Sequence, residues 1–167
     1  MKKTVTYPYD SFDTKTVFNI FTQKTFIEKK YASVGVTHLE FIDYGEKDGT
    51  FIIHTKRVVA AEVPGFAKKF IQPTTTVIQT ELWTLTDEAI KKGTVRVEAR
   101  GLPMKMSGDI ILQPMDHGCE NVLTYDITVN IPLIGGKLAK YLDEEGRKTA
   151  NREYDFAIQF LRNTQKL

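Results

Sequence analysis

The sequence predicts an α+β chain of order β-α-α-β6-α, in which a curved seven-stranded antiparallel sheet wraps a long C-terminal helix and leaves an internal cavity. Three observations carry this expectation. Between Val36 and Ile131 apolar and polar residues alternate in six runs separated by turn-forming residues. In the last run Leu123, Tyr125, Ile127, Val129 and Ile131 form one face and Thr124, Asp126, Thr128 and Asn130 the other, which is the pattern of an antiparallel strand with one face covered and one in water. After Pro132 and Gly135-Gly136 no further proline occurs, so Gly135–Lys166 can form about 45 Å of helix at 1.5 Å per residue.

The elements follow in order. Val5, Tyr7 and Tyr9 alternate with Thr4 and Thr6 as a first strand ending near Pro8. Asp13 or Ser11 then caps a short helix with the apolar face Val17, Phe18, Ile20 and Phe21. A second short helix is expected from Thr25, because Glu28 three residues later completes capping-box spacing, and Gly35 ends it. Strands are expected at 36–44 and 50–59, around a hairpin loop running from Gly45 to Gly49. Further strands follow at 75–86 and 94–100, then at 105–113 and 120–131 around the turn Pro114–Gly118.

One connection is too long for a hairpin. Ala60–Pro73 (AAEVPGFAKKFIQP) is apolar at Val63, Phe66, Phe70 and Ile71, with Lys68 and Lys69 between. Two readings stay open. The aromatics tuck under the sheet, or the segment is functional, either as an entrance lid at a cavity mouth or as a tip in transient contact with a membrane.

The terminal helix has apolar stripes at both ends, Leu138, Tyr141 and Leu142 first and Phe156, Ala157, Phe160 and Leu161 last. Between them the same face carries Gly146, Thr149, Ala150 and Glu153. Glycine inside a helix costs about 1 kcal/mol against alanine. Its presence at 146 fits either close packing against the sheet or a helix anchored at its ends whose middle roofs a pocket.

Composition removes several classes of function. The formal charge of +2, without a dense Lys/Arg run, gives no support for nucleic acid. The single Cys119 cannot form an intramolecular disulfide, and MKKTVTYPYD lacks the apolar run of a signal peptide. No stretch reaches the roughly 18 apolar residues of a membrane span, so the expected compartment is cytoplasmic. His38, His54 and His117 have no HExxH spacing, and Asp116, His117 and Cys119 gather in one turn as polar residues do. Gly136-Lys137 lacks the earlier glycine of a phosphate loop, since position 131 is Ile, and no G-x-S-x-G elbow occurs. No metal, cofactor or catalytic set is implied.

The opening YPYDSFDTKTVFNIF, VIQTELW before a polar turn, and NIPLIGGKL before the last helix give this order a clear likeness. Residues 1–167 together resemble one domain of the START/Bet v 1-like superfamily, also called SRPBCC, whose fold is the helix grip. Within it the chain is similar to an uncharacterised bacterial domain family, through Arg57, Pro64, Glu81-Leu82-Trp83, Gly108 and Pro132-Leu133-Ile134-Gly135-Gly136. The resemblance implies a cavity for a hydrophobic small molecule or lipid, with polyketide cyclases among the members, and carries over no catalytic residue. The glycine-rich hairpin loop of the plant members is absent, since only Gly45 and Gly49 remain.

Candidate pocket residues follow from strand period. Trp83 facing the pocket puts Glu81, Gln79 and Val77 on the same face, and Arg57 shares a face with Phe51 and Ile53 one strand earlier. Arg57 and Glu81 are then either polar groups that orient an apolar ligand, or a solvated pair on the outer face. Tyr125, Ile127 and Val129 supply apolar wall. The leading expectation is a binding or carrier protein for a hydrophobic molecule. The alternative is an enzyme of the cyclase or hydrolase type, with Glu81, Arg57 or Glu153 in acid–base roles.

Overall fold

A single antiparallel sheet explains the alternation. The structure, a computed structural model, describes residues 2–60 and 62–165, so the expected Lys166 at the end of the helix lies outside it. The strands are β1 (Lys2–Asp10), β2 (His38–Lys47), β3 (Thr50–Ala60), β4 (Thr74–Thr84), β5 (Lys91–Ala99), β6 (Met104–Met115) and β7 (Gly118–Val129). Their order across the sheet is β1-β7-β6-β5-β4-β3-β2, every neighbour pair antiparallel. Helices α1 (Thr14–Phe21) and α2 (Lys24–Ser33) follow β1, and α3 (Gly135–Gln165) closes the chain. All three lie against the same, concave face.

Asp13 caps α1, its carboxylate accepting from the Thr16 amide at 2.8 Å. The capping box expected at Thr25 does not form. Helix α2 starts one residue earlier, after Gln23, with no side-chain cap. The Gln23 amide is instead bonded to the Ile20 carbonyl, so the end of α1 itself launches α2. Gly35 ends α2 as expected, with φ of +85° and its amide on the Ala32 carbonyl.

Several strand limits move for identifiable reasons. Pro8 does not stop β1, because β1 is an edge strand where a missing donor is tolerated. The β2–β3 hairpin is tighter than expected: Asp48 and Gly49 alone make the turn, with φ of 52° and 78°, as a two-residue primed turn requires. Pro114 lies within β6 rather than in the turn, opposite Cys119. It sits beyond Leu112, where the pairing with β5 has ended, so its lost donor breaks no ladder bond. The last strand stops at Val129, and the Asn130 amide turns to the Pro103 carbonyl.

Two apolar clusters hold the helices down. The larger joins α1, α2 and the end of α3 (Ala157, Leu161) to Ile53, Trp83, Val95, Ile110 and Leu112 of the sheet. The smaller joins Ala67 and Ile71 of the β3–β4 connection to Leu138 at the start of α3, and to Ala99 and Leu102. Gly135 fixes the join between β7 and α3, since a Cβ there would lie 2.3 Å from the Val129 carbonyl oxygen. The side chain of Leu133 finds no packing partner despite its apolar character. It is fully solvent-exposed, while the neighbouring Ile134 packs into the smaller cluster.

Candidate functional site

Register decides which expected residues meet. Phe51 pairs with Trp83, Ile53 with Glu81, Thr55 with Gln79 and Arg57 with Val77. Glu81 continues to Val95, which pairs with Gly108 and then Tyr125. Because Ile53, Trp83, Val95 and Tyr125 are buried under the helices, Arg57, Gln79 and Glu81 also point to the concave side. The solvated outer-face pair does not occur.

These three residues form a chain of hydrogen bonds. Arg57 Nη2 donates to Gln79 Oε1 at 3.0 Å, and Gln79 Nε2 donates to Glu81 Oε1 at 3.1 Å. The guanidinium rests on the ring of buried Tyr31, 4.4 Å from its centroid. Lys30, half-buried on α2, joins the group with its ammonium 4.6 Å from the same centroid. Burial works against its charge, but Tyr31, Glu153 and Glu81 outweigh burial and the opposing Arg57, so its pKa is raised. Strands β3 and β4 and helices α2 and α3 thus bring two cations and two carboxylates together under the roof helix.

The inward stripe of α3 runs Ala139, Asp143, Gly146, Ala150, Glu153, Ala157, Leu161 at helical spacing. It is buried at both ends, at Ala139, Asp143, Ala157 and Leu161. In its middle Gly146 is exposed, and Ala150 and Glu153 are half-buried. A Cβ on Gly146 would meet nothing within 4 Å. Thr149 flanks the stripe and is half-buried, and so are Val97 and Met106 on the concave face of the sheet.

Other expected pocket residues have different places. Trp83 is 2% exposed and lies in the larger cluster, edge-on to Phe18 at 5.4 Å. Its indole is covered by α1 instead of walling an open space. Ile127 is buried, and Val129 packs with the smaller cluster. In the β3–β4 connection Val63, Phe70 and Ile71 pack inward, whereas Phe66 is exposed at the tip of a short 3-10 turn, Gly65–Ala67. Tyr141 of α3 holds this connection by donating to the Glu62 carbonyl at 2.8 Å. Two concavities of about 470 and 450 Å³ occur, one between α2 and β2 lined by Tyr31, Leu39 and Phe41, the other on the outer face around Arg96.

Sequence reasoning missed Asp143, whose carboxylate is almost wholly buried beneath α3. It accepts from the Tyr125 hydroxyl, pairs with Lys3 Nζ at 2.8 Å and lies 4.0 Å from Arg147 Nε. Burial alone would raise its pKa. The Lys3 and Tyr125 hydrogen bonds, with the charges of Lys3 and Arg147, prevail and hold it below the ordinary carboxylate range. The signal was present, since Asp143 stands at helical spacing between Ala139 and Gly146. Cys119, by contrast, offers no thiolate: burial pushes its thiol up to about 11.

Comparisons with known proteins bear on the family and the fold. Residues 3–161 match the family model described as "Protein of unknown function (DUF2505)". A search of curated proteins gives no sequence match. Among solved structures, TTHA0849 from Thermus thermophilus is similar at a TM-score of 0.67 and 14% identity, over 98% of this chain and 99% of that one. Human STARD10 is similar at 0.65 and 11% identity over 99% of this chain, which spans 66% of the STARD10 chain. A Thalictrum norcoclaurine synthase point mutant, solved with a transition-state analogue, gives 0.58 at 14% identity over 99% and 97% of the two chains. At such identities the likeness shows the fold alone. With the family model covering nearly its whole length, the chain belongs to the DUF2505 family and has the START/Bet v 1-like helix-grip fold.

Proposed function

We propose that the protein binds, and hands on, an apolar small molecule or lipid in the crevice between the middle of α3 and the concave face of the sheet. One observation carries the reading: the inward stripe of α3 is buried at both ends and open at Gly146, where a side chain would find empty space. The ligand's apolar body lies along Val97, Met106 and Ala150, and desolvation supplies most of its affinity. Its polar end is oriented by Arg57, Gln79 and Glu81, with Lys30 and Glu153 beside them. The norcoclaurine synthase, similar in fold, was solved in complex with a transition-state analogue, so a chain of this fold can hold a small molecule, while the choice of site rests on Gly146 and the polar group beside it.

Gly146 gives the test. Gly146→Ala is expected to stabilise the protein by up to about 1 kcal/mol through helix propensity, without loss of apolar-probe uptake. Gly146→Leu is expected to fold with a similar melting temperature yet lose uptake of fluorescent fatty-acid or isoprenoid probes at least tenfold. Equal uptake by wild type and Gly146→Leu removes the crevice reading.

A second reading is favoured by the same polar group, since Glu81 and Glu153 share the crevice with two cations. In a cyclase or hydrolase these carboxylates move protons. Glu81→Gln separates the two: a carrier keeps ligand uptake and has no turnover to lose, whereas an enzyme loses turnover of a polyketide-like substrate at least a hundredfold.

A further inference from the structure

Leu133 is the most exposed large apolar side chain among the described residues, at 105% relative exposure. It also has φ of 72°, a left-handed backbone that a leucine adopts only against steric resistance. Neither cost is repaid inside the molecule. The side chain packs on nothing, and a glycine at this position would avoid both penalties. Pro132 before it and Gly135, jammed against the Val129 carbonyl, fix the turn that holds it out.

A second apolar tip stands at the same end. Phe66 is 36% exposed on the 3-10 turn, and the smaller apolar cluster ties that turn to Ile134, next to Leu133. Lys137, on the first turn of α3, places its ammonium 4.2 Å from the Phe66 ring centroid. The exposed charges of these two loops, of the β5–β6 turn that the same cluster holds through Leu102, and of the first two turns of α3 are Lys68, Lys69, Arg100, Lys137 and Lys140, against Glu62 alone. Two apolar prongs among five cations and one acid match an interface of acyl chains beneath anionic headgroups. A protein partner of ordinary mixed charge has no need of such a bias.

We propose that this end of the molecule is a docking foot for an anionic membrane surface, with Leu133 and Phe66 inserted below the headgroups and the lysines among them. The foot includes the β3–β4 connection and stands whether or not the proposed crevice is occupied.

Sedimentation with sucrose-loaded vesicles tests it. Wild type is expected to pellet with phosphatidylglycerol/phosphatidylcholine vesicles at low salt, and far less with phosphatidylcholine alone. Leu133→Gly is expected to keep or raise the melting temperature while weakening vesicle partition about tenfold or more. Lys68→Gln/Lys69→Gln is expected to weaken it about thirtyfold. Gly146→Leu, which fills the crevice, is expected to pellet like wild type, so loss of docking and loss of ligand uptake are read separately. No pelleting of wild type overturns the proposal, and so does equal pelleting of wild type and Leu133→Gly. Undiminished binding to neutral vesicles overturns the anionic preference.

Discussion

Trp83→Ala is expected to destabilise the protein by about 4 kcal/mol, within the range of about 3–5 for deleting a buried large aromatic. The indole is 2% exposed and meets Phe18 edge-on at 5.4 Å and Phe21 at 6.5 Å, so it is the surface on which α1 lies. Its other face presses on Gly93, where a Cβ would come within 2.9 Å of Cδ2. Deletion therefore leaves a hole lined on one side by a residue with no side chain to move in. Trp83→Phe is expected to cost less than half as much. It keeps an aromatic partner for Phe18 and removes the indole Nε1, a buried donor without an acceptor. Because Trp83 is the only tryptophan, urea unfolding should be followed by circular dichroism. An unchanged slope with a lowered midpoint identifies a loss of stability, and a loss under about 2 kcal/mol for the alanine variant contradicts this packing.

The second large effect is expected at Asp143. Asp143→Ala removes the counter-ion of Lys3 and the acceptor of the Tyr125 hydroxyl together, detaching the first half of α3 from β1 and β7. Deleting one partner of a buried ion pair costs about 3–5 kcal/mol. Here Lys3 and Arg147 reach water once released, with 32% and 43% side-chain exposure, so about 2–3 kcal/mol is expected. The pH dependence has a definite sign. The carboxyl lies below its ordinary value when folded, so the unfolded chain takes up the proton first as pH falls. The stabilisation is then fully present above about pH 4, the ordinary carboxylate value, and disappears as pH drops through the lower folded value. Chemical denaturation of wild type and Asp143→Asn at about pH 7 and about pH 3, either side of that ordinary value, checks this. The difference between them should be large near neutrality and shrink in acid, and a difference that grows on acidification is incompatible with the clasp.

Much of the fold was legible because period-two alternation and turn residues act locally. Seven strands, two tandem helices and one long helix were all readable from where alternation began and stopped. Strand limits were less so, because they depend on neighbours. Pro8 and Pro114 look like strand terminators in the sequence, yet each sits where no ladder bond is asked of its nitrogen. Whether Arg57 and Glu81 faced in or out turned on register alone. The sequence period linked them to Trp83, and only pairing across β3 and β4 placed that face under the helices. Asp143 was passed over since a helical carboxylate ordinarily faces water, and its burial depends on Lys3, at the far end of the chain. Trp83 misled in the opposite way. Its face was right, but α1 covers the spot where an apolar wall was expected.

The sheet is open, with β1 and β2 at its two margins. Pro8 removes a donor from the middle of β1, and its carbonyl is taken by the Tyr154 hydroxyl of α3. On β2 the register slips between Phe41 and Asp43, and the strand bends there. Both margins are therefore poor templates for an incoming strand, one through proline chemistry and the other through a kinked backbone. A second copy that sought to lengthen the sheet would find a broken row of hydrogen-bonding groups on either side. An open sheet thus stays closed to the fibre-like stacking that unpaired strands invite.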